Sequence, residues 1–276
     1  MDNRPVGVYD SGLGGLTVWR EIRRQLPEES LVYLGDGKNC PYGARPADEI
    51  CRLADEAVGR LVGAGCKMVV VACNTATAQS IAAVRERLAI PLVGVEPGIK
   101  PAVRQSASGV AGVLATQATL RSARFRQLLE RHGAGCRFLC QPGHGLVQAV
   151  ESGDTGSPAL RALLTRYLRP MLEAGADTLV LGCTHYPFFT ETIRELVGER
   201  LTIVDTSDAI ARQLERVLAE HDLLAPAFAT AAPPRFCSTS DGQQLRTLAS
   251  TLLGLAAPVE SVTIFSPNAQ GCAAAA

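Results

Sequence analysis

Short, continuous apolar runs alternate along this chain with longer segments in which apolar residues recur about every 3.6 positions. The runs predict strands over Val6–Tyr9, Leu31–Leu34, Met68–Ala72, Leu92–Val95, Gly109–Leu114, Arg137–Cys140, Thr178–Leu181, Leu201–Val204, Arg235–Thr239 and Val259–Phe265. The periodic segments predict helices over Ala47–Ala64, Gln79–Leu88, Leu120–His132, Pro158–Ala174, Thr190–Val197 and Gly242–Leu253. This alternation indicates an α/β fold of mostly parallel sheets flanked by helices. Ligands of such sheets bind beyond the carboxyl ends of the strands.

A faint internal repeat is visible at offsets of a little more than 100 residues. The segments VVVACNTATA (69–78) and LVLGCTHYPF (179–188) each have an apolar strand, a small residue, a cysteine and then hydrogen-bonding residues. GVYDSG (7–12) and GVLATQ (112–117) also align in outline. Two similar halves that face each other would explain the pattern. The general likeness of strand–helix junctions would explain it too.

Composition and charge exclude several classes of protein. Apolar residues make up 47% of the 276 residues, and Lys+Arg and Asp+Glu both number 27. A chain without net charge lacks the basic footprint of a nucleic-acid binder. No segment offers the ~18 uninterrupted apolar residues of a membrane span. The start of the chain lacks the features of a signal peptide, so we expect a cytoplasmic protein whose nine cysteines are free thiols.

The first candidate motif is Asp10-Ser11-Gly12-Leu13-Gly14-Gly15, which follows a predicted strand and opens a helix. Its glycines allow close approach of a ligand to the backbone, and the N–H groups at a helix start favour an anion. Asp10 precedes the glycines, where its carboxylate suggests proton handling or ammonium binding. The competing interpretation is a helix cap made by Asp10 or Ser11.

Two cysteines occupy matching positions, in Cys73-Asn74-Thr75 and in Cys183-Thr184-His185. Either cysteine alone would be read as a buried, inert residue. A covalent nucleophile needs only one thiol, and a zinc site needs a third and a fourth ligand nearby. Racemisation uses both thiols, because one base removes the α-proton and an acid on the other face returns a proton. Asp10 could deprotonate Cys73, while His185 with Glu151 could serve Cys183.

The motifs DSGLGG, PYG, CNTATA and LGCTHYP, in this order and at these spacings, resemble the glutamate racemases of the aspartate/glutamate racemase superfamily. The resemblance runs from about Val6 to Ile264. It implies two pseudo-symmetric α/β domains, residues 1–97 plus 209–276 and residues 98–208, with the active site in the cleft between them. It also implies a homodimer that uses neither pyridoxal phosphate nor a metal and supplies D-glutamate for peptidoglycan synthesis.

Site residues follow from the resemblance position by position. Cys73 would act on D-glutamate and Cys183 on L-glutamate, assisted by Asp10, His185 and Glu151. The implied substrate contacts are Asp10, Ser11, Pro41, Tyr42, Gly43, Asn74, Thr75, Thr116, Thr119, Thr184 and His185. Two features depart from the family pattern: Ala115 stands where glycine usually precedes the first threonine, and Cys40 precedes the PYG loop without an evident role.

Three alternative functions compete with this interpretation. An aspartate racemase of the same superfamily would share the cysteine motifs, although PYG and DSGLGG favour glutamate. A pyridoxal phosphate racemase needs a Schiff-base lysine, and the sequence context supports none of Lys38, Lys67 and Lys100. A two-domain binding protein of the periplasmic type would need an export signal. Some members of the family bind DNA gyrase, on which this sequence is silent.

A zinc site is suggested by the four-residue spacing of His132, Cys136, Cys140 and His144. The glycines and proline among these positions forbid a continuous helix. On a strand, residues four apart spread over ~13 Å, too far for one ion. The sequence therefore argues against metal binding at these residues.

Overall fold

The computed structural model describes residues 1–256 and 258–263. Its strands are β1 (Val6–Asp10), β2 (Leu31–Gly35), β3 (Met68–Val71), β4 (Leu92–Gly94), β5 (Val110–Ala115), β6 (Arg137–Pro142), β7 (Thr178–Gly182), β8 (Thr202–Val204), β9 (Arg235–Ser238) and β10 (Val259–Ser261). They form a six-stranded sheet in the order β10-β9-β2-β1-β3-β4 and a four-stranded sheet in the order β6-β5-β7-β8. Every described strand pair is parallel. The end of the strand predicted at Val259–Phe265 lies outside the described residues.

Helices cover both faces of each sheet. They are α1 (Leu16–Gln25), α2 (Ala47–Gly63), α3 (Asn74–Arg87), α4 (Ile99–Gln105), α5 (Gln117–Arg121), α6 (Ala123–His132), α7 (Leu146–Glu151), α8 (Pro158–Glu173), α9 (Thr190–Val197), α10 (Ser207–Glu220) and α11 (Gln243–Leu253). None of the helices in the described part of the chain has both the length and the hydropathy that crossing a membrane requires.

The continuous apolar runs are explained by burial on both faces. Along β3, Met68 and Val70 pack in one core with α1, α10 and α11, whereas Val69 and Val71 pack in another with α2 and α3. Successive side chains of a strand point to opposite faces, so a sheet covered on both sides has no polar face to alternate with. The second sheet has the same arrangement, with α7, α8 and α9 on one face and α4 and α6 on the other.

Two helix boundaries differ from the sequence prediction. Helix α3 begins at Asn74 instead of Gln79, because its polar first turn is buried and carries no apolar periodicity. The helix predicted over Leu120–His132 is divided at Ser122, whose backbone is extended. Ser122 Oγ accepts a hydrogen bond from the Phe125 N–H at 3.0 Å and so caps α6. Four helices, α1, α4, α7 and α10, had no predicted range.

The strand orders confirm the internal repeat. Strands β2-β1-β3-β4 of the first sheet have the same order as β6-β5-β7-β8 of the second. Cys73 follows β3, and Cys183 follows the equivalent strand β7. The fold is therefore α/β with two similar halves, as predicted. After β8 the chain returns to the first sheet, while the exact domain boundaries at residues 97 and 208 stay predictions.

Candidate active site

Cys73 lies at the start of α3, where its sulfur is part of the helix cap. The thiol donates to Ser11 Oγ at 3.3 Å, and Sγ accepts from the Ala76 N–H at 3.4 Å. Burial, and after it the negative charge of Asp10, raise the pKa of this thiol to about 12 against the smaller, opposite effect of those two hydrogen bonds. Cys73 is only 4% exposed, and it is a neutral thiol that can donate a proton.

Cys183 is followed by a buried histidine that contacts both the thiol and a carboxylate. Cys183 Sγ lies 3.8 Å from His185 Nδ1, and His185 Nε2 lies 2.6 Å from Glu151 Oε1. Burial alone would lower the pKa of His185, but its hydrogen bonds to Cys183, Cys40 and Glu151 outweigh burial and raise this pKa well above its ordinary value. Burial likewise opposes the lowered pKa of Glu151, which results from its bond to His185. The two side chains form an imidazolium–carboxylate pair.

Asp10 is the last residue of β1 and is completely buried. Its carboxylate accepts from the Gly12 N–H at 2.9 Å and from the Thr184 hydroxyl at 3.0 Å. Burial raises its pKa. Helix α1 begins at Leu16 after Gly15, so neither Asp10 nor Ser11 caps it. Asp10 instead reaches across to the second half of the molecule, and it acts on Cys73 through its charge.

The glycines of DSGLGG allow one half of the molecule to approach the other. A Cβ at Gly12 would lie 2.2 Å from Glu151 Oε1, and a Cβ at Gly14 would lie 2.4 Å from His185 Nδ1. The Leu13 N–H donates to Glu151 Oε1 at 2.7 Å. The anion at this turn is therefore a protein carboxylate, where the sequence suggested a bound ligand.

Three threonine hydroxyls meet between the first turns of α3 and α5. Thr75 Oγ1 lies 2.8 Å from Thr116 Oγ1 and 3.4 Å from Thr119 Oγ1, and the latter two are 2.9 Å apart. Beside them, the buried Nδ2 of Asn74 has no hydrogen-bond partner in the described structure. Because a buried unpaired donor is costly, this amide is suited to bind an oxygen of a ligand.

The PYG loop is held by a carboxylate that the sequence analysis missed. Asp36 is fully buried directly after β2 and accepts from the Tyr42 hydroxyl at 2.6 Å. Tyr42 in turn accepts from the Tyr9 hydroxyl at 2.8 Å. The Tyr42 hydroxyl, expected to contact substrate, is thus engaged in fixing the loop. The available signal was the position of Asp36 directly after its strand, close to the position that Asp10 has at the end of β1.

Pro41 and Gly43, from the same loop, face the second half. Together with Thr116 and His144 they line a cavity of about 100 Å³. A Cβ at Gly43 would lie 2.9 Å from Thr116 Cβ, so only glycine permits this contact. These three predicted contact residues therefore lie together at the boundary between the halves.

Cys40, which had no evident role in the sequence analysis, also lies at this site. A ligand atom from each of Cys40, Glu151 and His185 lies within 4.8 Å of the others. Burial raises the pKa of the Cys40 thiol to about 12, opposed by its hydrogen bond to His185. The set of His132, Cys136, Cys140 and His144 is not among the clusters of potential metal ligands in residues 1–256 and 258–263.

The lysines do not support a Schiff base. Lys67 is buried in an ion pair with Glu29, with Nζ 2.7 Å from Oε2. Lys38 and Lys100 are exposed. A Schiff base with a cofactor aldehyde would have to form at one of these three lysines, and the buried one, Lys67, is already paired with Glu29.

Comparisons with known proteins agree on one family. The sequence matches the family model of the Asp/Glu/hydantoin racemases over residues 14–214. Glutamate racemase from Ralstonia nicotianae is 55% identical over 260 residues, which are 94% of this chain and 93% of that protein. The crystal structure of Escherichia coli glutamate racemase with L-glutamate and the activator UDP-MurNAc-ala matches with a TM-score of 0.83 and 32% identity, over 95% of this chain and 100% of the other. Francisella tularensis glutamate racemase with D-glutamate matches with a TM-score of 0.83 and 28% identity, over 96% and 99%.

Proposed function

This chain belongs to the glutamate racemases within the Asp/Glu/hydantoin racemase family, and we propose that it interconverts L- and D-glutamate by proton transfer between Cys73 and Cys183. The family assignment favours glutamate over the alternative of aspartate. The two-cysteine mechanism is the finer part of the proposal.

One observation carries the mechanism: the two thiols follow equivalent strands of two similar sheets whose carboxyl ends are bonded to each other. The bond from Thr184 to Asp10 and the bond from Leu13 to Glu151 join these ends. After burial and Asp10, the charge of Cys183 also raises the pKa of Cys73, as expected of two sulfurs that face one space. A substrate held there would present opposite faces of Cα to the two thiols.

The protonation states assign a direction to each group. Protonated His185 can form an ion pair with the Cys183 thiolate, which removes the α-proton of L-glutamate. Cys73, with its raised pKa, holds a proton and delivers it to the opposite face. The reverse reaction starts from the other protonation state, in which Cys73 is the base and the helix start of α3 stabilises its thiolate.

Substrate binding is supported by the remaining polar groups. The carboxylates of glutamate would be bound by the unpaired Asn74 amide, the threonine hydroxyls and the N–H groups at the start of α3. The ammonium group would pair with Asp10. Thr184 and Ser11 adjoin these groups through their bonds to Asp10 and Cys73.

Isotope incorporation tests the two-base route. We expect that L-glutamate and D-glutamate, each incubated with purified protein in D2O, give product deuterated at Cα while the remaining substrate stays unlabelled at early conversion. Two separate bases produce this pattern, because the proton taken by one thiol is not the proton returned by the other. Label appearing in substrate as fast as in product would contradict the mechanism.

Substitutions assign the thiols. Cys73→Ala and Cys183→Ala should each abolish racemisation, measured by circular dichroism of glutamate, while the far-UV spectrum of the protein is unchanged. Cys66→Ala is the matched control, because Cys66 is also buried but packs in the core of the first half. Racemisation by either active-site variant at the rate of the control would remove the thiols from the mechanism.

We also propose, from the family, a homodimer in the cytoplasm that provides D-glutamate for peptidoglycan. The relative from E. coli was crystallised with UDP-MurNAc-ala as activator, which links that protein to this synthesis. Light scattering of the purified chain tests the dimer. Growth of a strain lacking the encoding gene, with and without added D-glutamate, tests the supply of cell-wall precursor.

A further inference from the structure

Three side chains from separate parts of the chain bring metal-ligating atoms together beside Cys183. Cys40 comes from the loop after β2, Glu151 ends α7, and His185 follows β7. One ligand atom of each lies within 4.8 Å of the other two. Bonds of about 2.0–2.3 Å from a tetrahedral zinc ion place its ligands roughly 3.3–3.8 Å apart. The 4.8 Å limit exceeds these spacings by about 1–1.5 Å, a difference that side-chain rotation would have to close.

We propose that Cys40, Glu151 and His185 form a zinc-binding site through which the ion inhibits the racemase. Thiolate, imidazole and carboxylate are the ligand types that zinc takes in proteins. Mg²⁺ and Ca²⁺ need several oxygen ligands, of which this cluster offers one carboxylate. Three protein ligands leave one tetrahedral position for water or an oxygen of the substrate.

Charge balance favours the divalent ion in this buried setting. A thiolate and a carboxylate together neutralise Zn²⁺, so the complex of the ion with neutral His185 carries no net charge. Zinc binding releases two protons to solvent, one from the Cys40 thiol and one from the His185 imidazolium, so the affinity of this site for zinc should rise with pH. Access is available as well, since the Glu151 side chain is 18% exposed and Cys40 is half-buried.

Inhibition follows from the ligands that the ion would occupy, and this part rests on the proposed function. Zinc bound to the Nε2 that faces Glu151 would leave His185 a neutral imidazole, so Nδ1 could still donate a hydrogen bond to Cys183 but the imidazolium that pairs with its thiolate would be lost. Glu151 would exchange its 2.6 Å contact with His185 for the ion. Cys73 and its partner Ser11 lie outside the cluster. Zinc would therefore impair proton transfer at Cys183 and with it racemisation in both directions.

Calorimetric titration with Zn²⁺ tests binding without reference to catalysis. We expect one ion per wild-type chain at this site and a loss of affinity on the order of 100-fold in Cys40→Ala. Cys140→Ala is the matched control, since Cys140 is an exposed thiol on β6 outside the cluster. With Co²⁺ as the probe, the thiolate-to-metal absorption band should appear in wild type and Cys140→Ala and be absent in Cys40→Ala.

Racemisation assays test the inhibitory role. Relative to their own metal-free rates, wild type and Cys140→Ala should each lose activity as Zn²⁺ is added, whereas Cys40→Ala should keep its metal-free rate, whatever that rate is. Cys40→Ser, which preserves the side-chain volume, provides the same test if the alanine variant does not fold. The proposal would be overturned if wild type bound no Zn²⁺, or if Zn²⁺ bound to and inhibited the Cys40 variants as strongly as wild type. Absence of racemisation by metal-free wild type would instead refute the proposed function and leave the binding test intact.

Discussion

The substitution Glu151→Gln removes only the negative charge from the His185–Glu151 pair, which we propose assists Cys183. Glu151 Oε1 accepts from the Leu13 N–H at 2.7 Å and lies 2.6 Å from His185 Nε2. The Oε1 of glutamine can accept both hydrogen bonds, so the geometry is retained while the negative charge is lost. The pKa of His185, which now lies well above its ordinary value, should fall.

The size of the effect follows from this contact. A hydrogen bond to a charged group contributes about 1.5–3 kcal/mol. Glu151 is partly exposed, with 18% of its side chain accessible, so the lower part of that range applies. A loss of about 1.5–2 kcal/mol in the transition state corresponds to a decrease in kcat/KM of roughly 10- to 30-fold. Because the enantiomers have equal free energies in water, kcat/KM must fall equally in both directions.

Isotope effects test which of the two proton transfers Glu151 assists. With α-deuterated L-glutamate, the primary isotope effect on kcat/KM should rise in Glu151→Gln, because proton removal by Cys183 becomes more rate-limiting. With α-deuterated D-glutamate it should fall, because the slow step moves to the second transfer. The same change with both substrates would refute the assignment of Glu151 to Cys183.

The pH profile gives an independent check with a definite sign. His185 has a raised pKa in the folded protein, so its protonated form, and the stability of its pair with Glu151, persist until the pH rises through that pKa. Removal of the Glu151 charge lowers the pKa, so the alkaline limb of kcat/KM should move to lower pH. An alkaline limb that stays in place would show that His185 does not act as imidazolium.

Three further predictions concern the opposite base, the contact between halves and the fold. Asp10→Asn should give the mirror-image isotope pattern, a larger effect with deuterated D-glutamate and a smaller one with L-glutamate; the pattern of Glu151→Gln would contradict its assigned side. Gly14→Ala should abolish racemisation because its Cβ would lie 2.4 Å from a His185 nitrogen, whereas Gly59→Ala, with nothing within 4 Å, should remain active; equal activities in the same assay would exclude this steric role. Asp177→Asn should lower the free energy of unfolding at neutral pH by about 1–2 kcal/mol. The pKa of the Asp177 carboxyl is depressed, despite partial burial, by hydrogen bonds from the Ser106 hydroxyl and backbone N–H groups. The stability from the ionised Asp177 is lost as pH falls through its pKa in the folded protein. The free energies of unfolding of wild type and Asp177→Asn, measured by urea titration, should therefore converge in acid. A difference between them that does not change with pH would contradict the assignment.

The sequence was informative for reactive residues whose position in the site follows from their place at the end of a strand. Cys73 and Cys183 each follow an apolar strand, and parallel sheets gather strand ends at one edge, so the sequence predicts that both thiols lie at the ligand-binding edges of their sheets. The duplicated strand order then confirmed that the two positions are equivalent. Asp36 satisfied the same criterion of a carboxylate at a strand end, and its role could have been found by the same reasoning.

Contacts between distant segments could not be predicted. Leu13 and Glu151, joined by a hydrogen bond, are 138 residues apart, and no local pattern records this pairing. The function of Gly12 was misread for the same reason, since the atom that excludes a side chain there belongs to Glu151. Cys40 lies close to Glu151 and His185 only because the loop after β2 approaches α7 in the folded chain.

The pairing of the two halves has a consequence for catalysis. Each half supplies one thiol, but the carboxylate that serves it is anchored from the other half: Asp10 by Thr184, and Glu151 by Leu13. Cys73 is 4% exposed and Cys183 is 6% exposed, so the proposed mechanism requires the halves to separate before the substrate enters. Separation would break both anchoring hydrogen bonds at once, so the two carboxylates proposed to assist proton transfer would lose their positions together and regain them together on closure. In the proposed mechanism the Cα proton would be exchanged only in a closed site, where the burial that raises the pKa of Cys73 would also keep water away from both thiols.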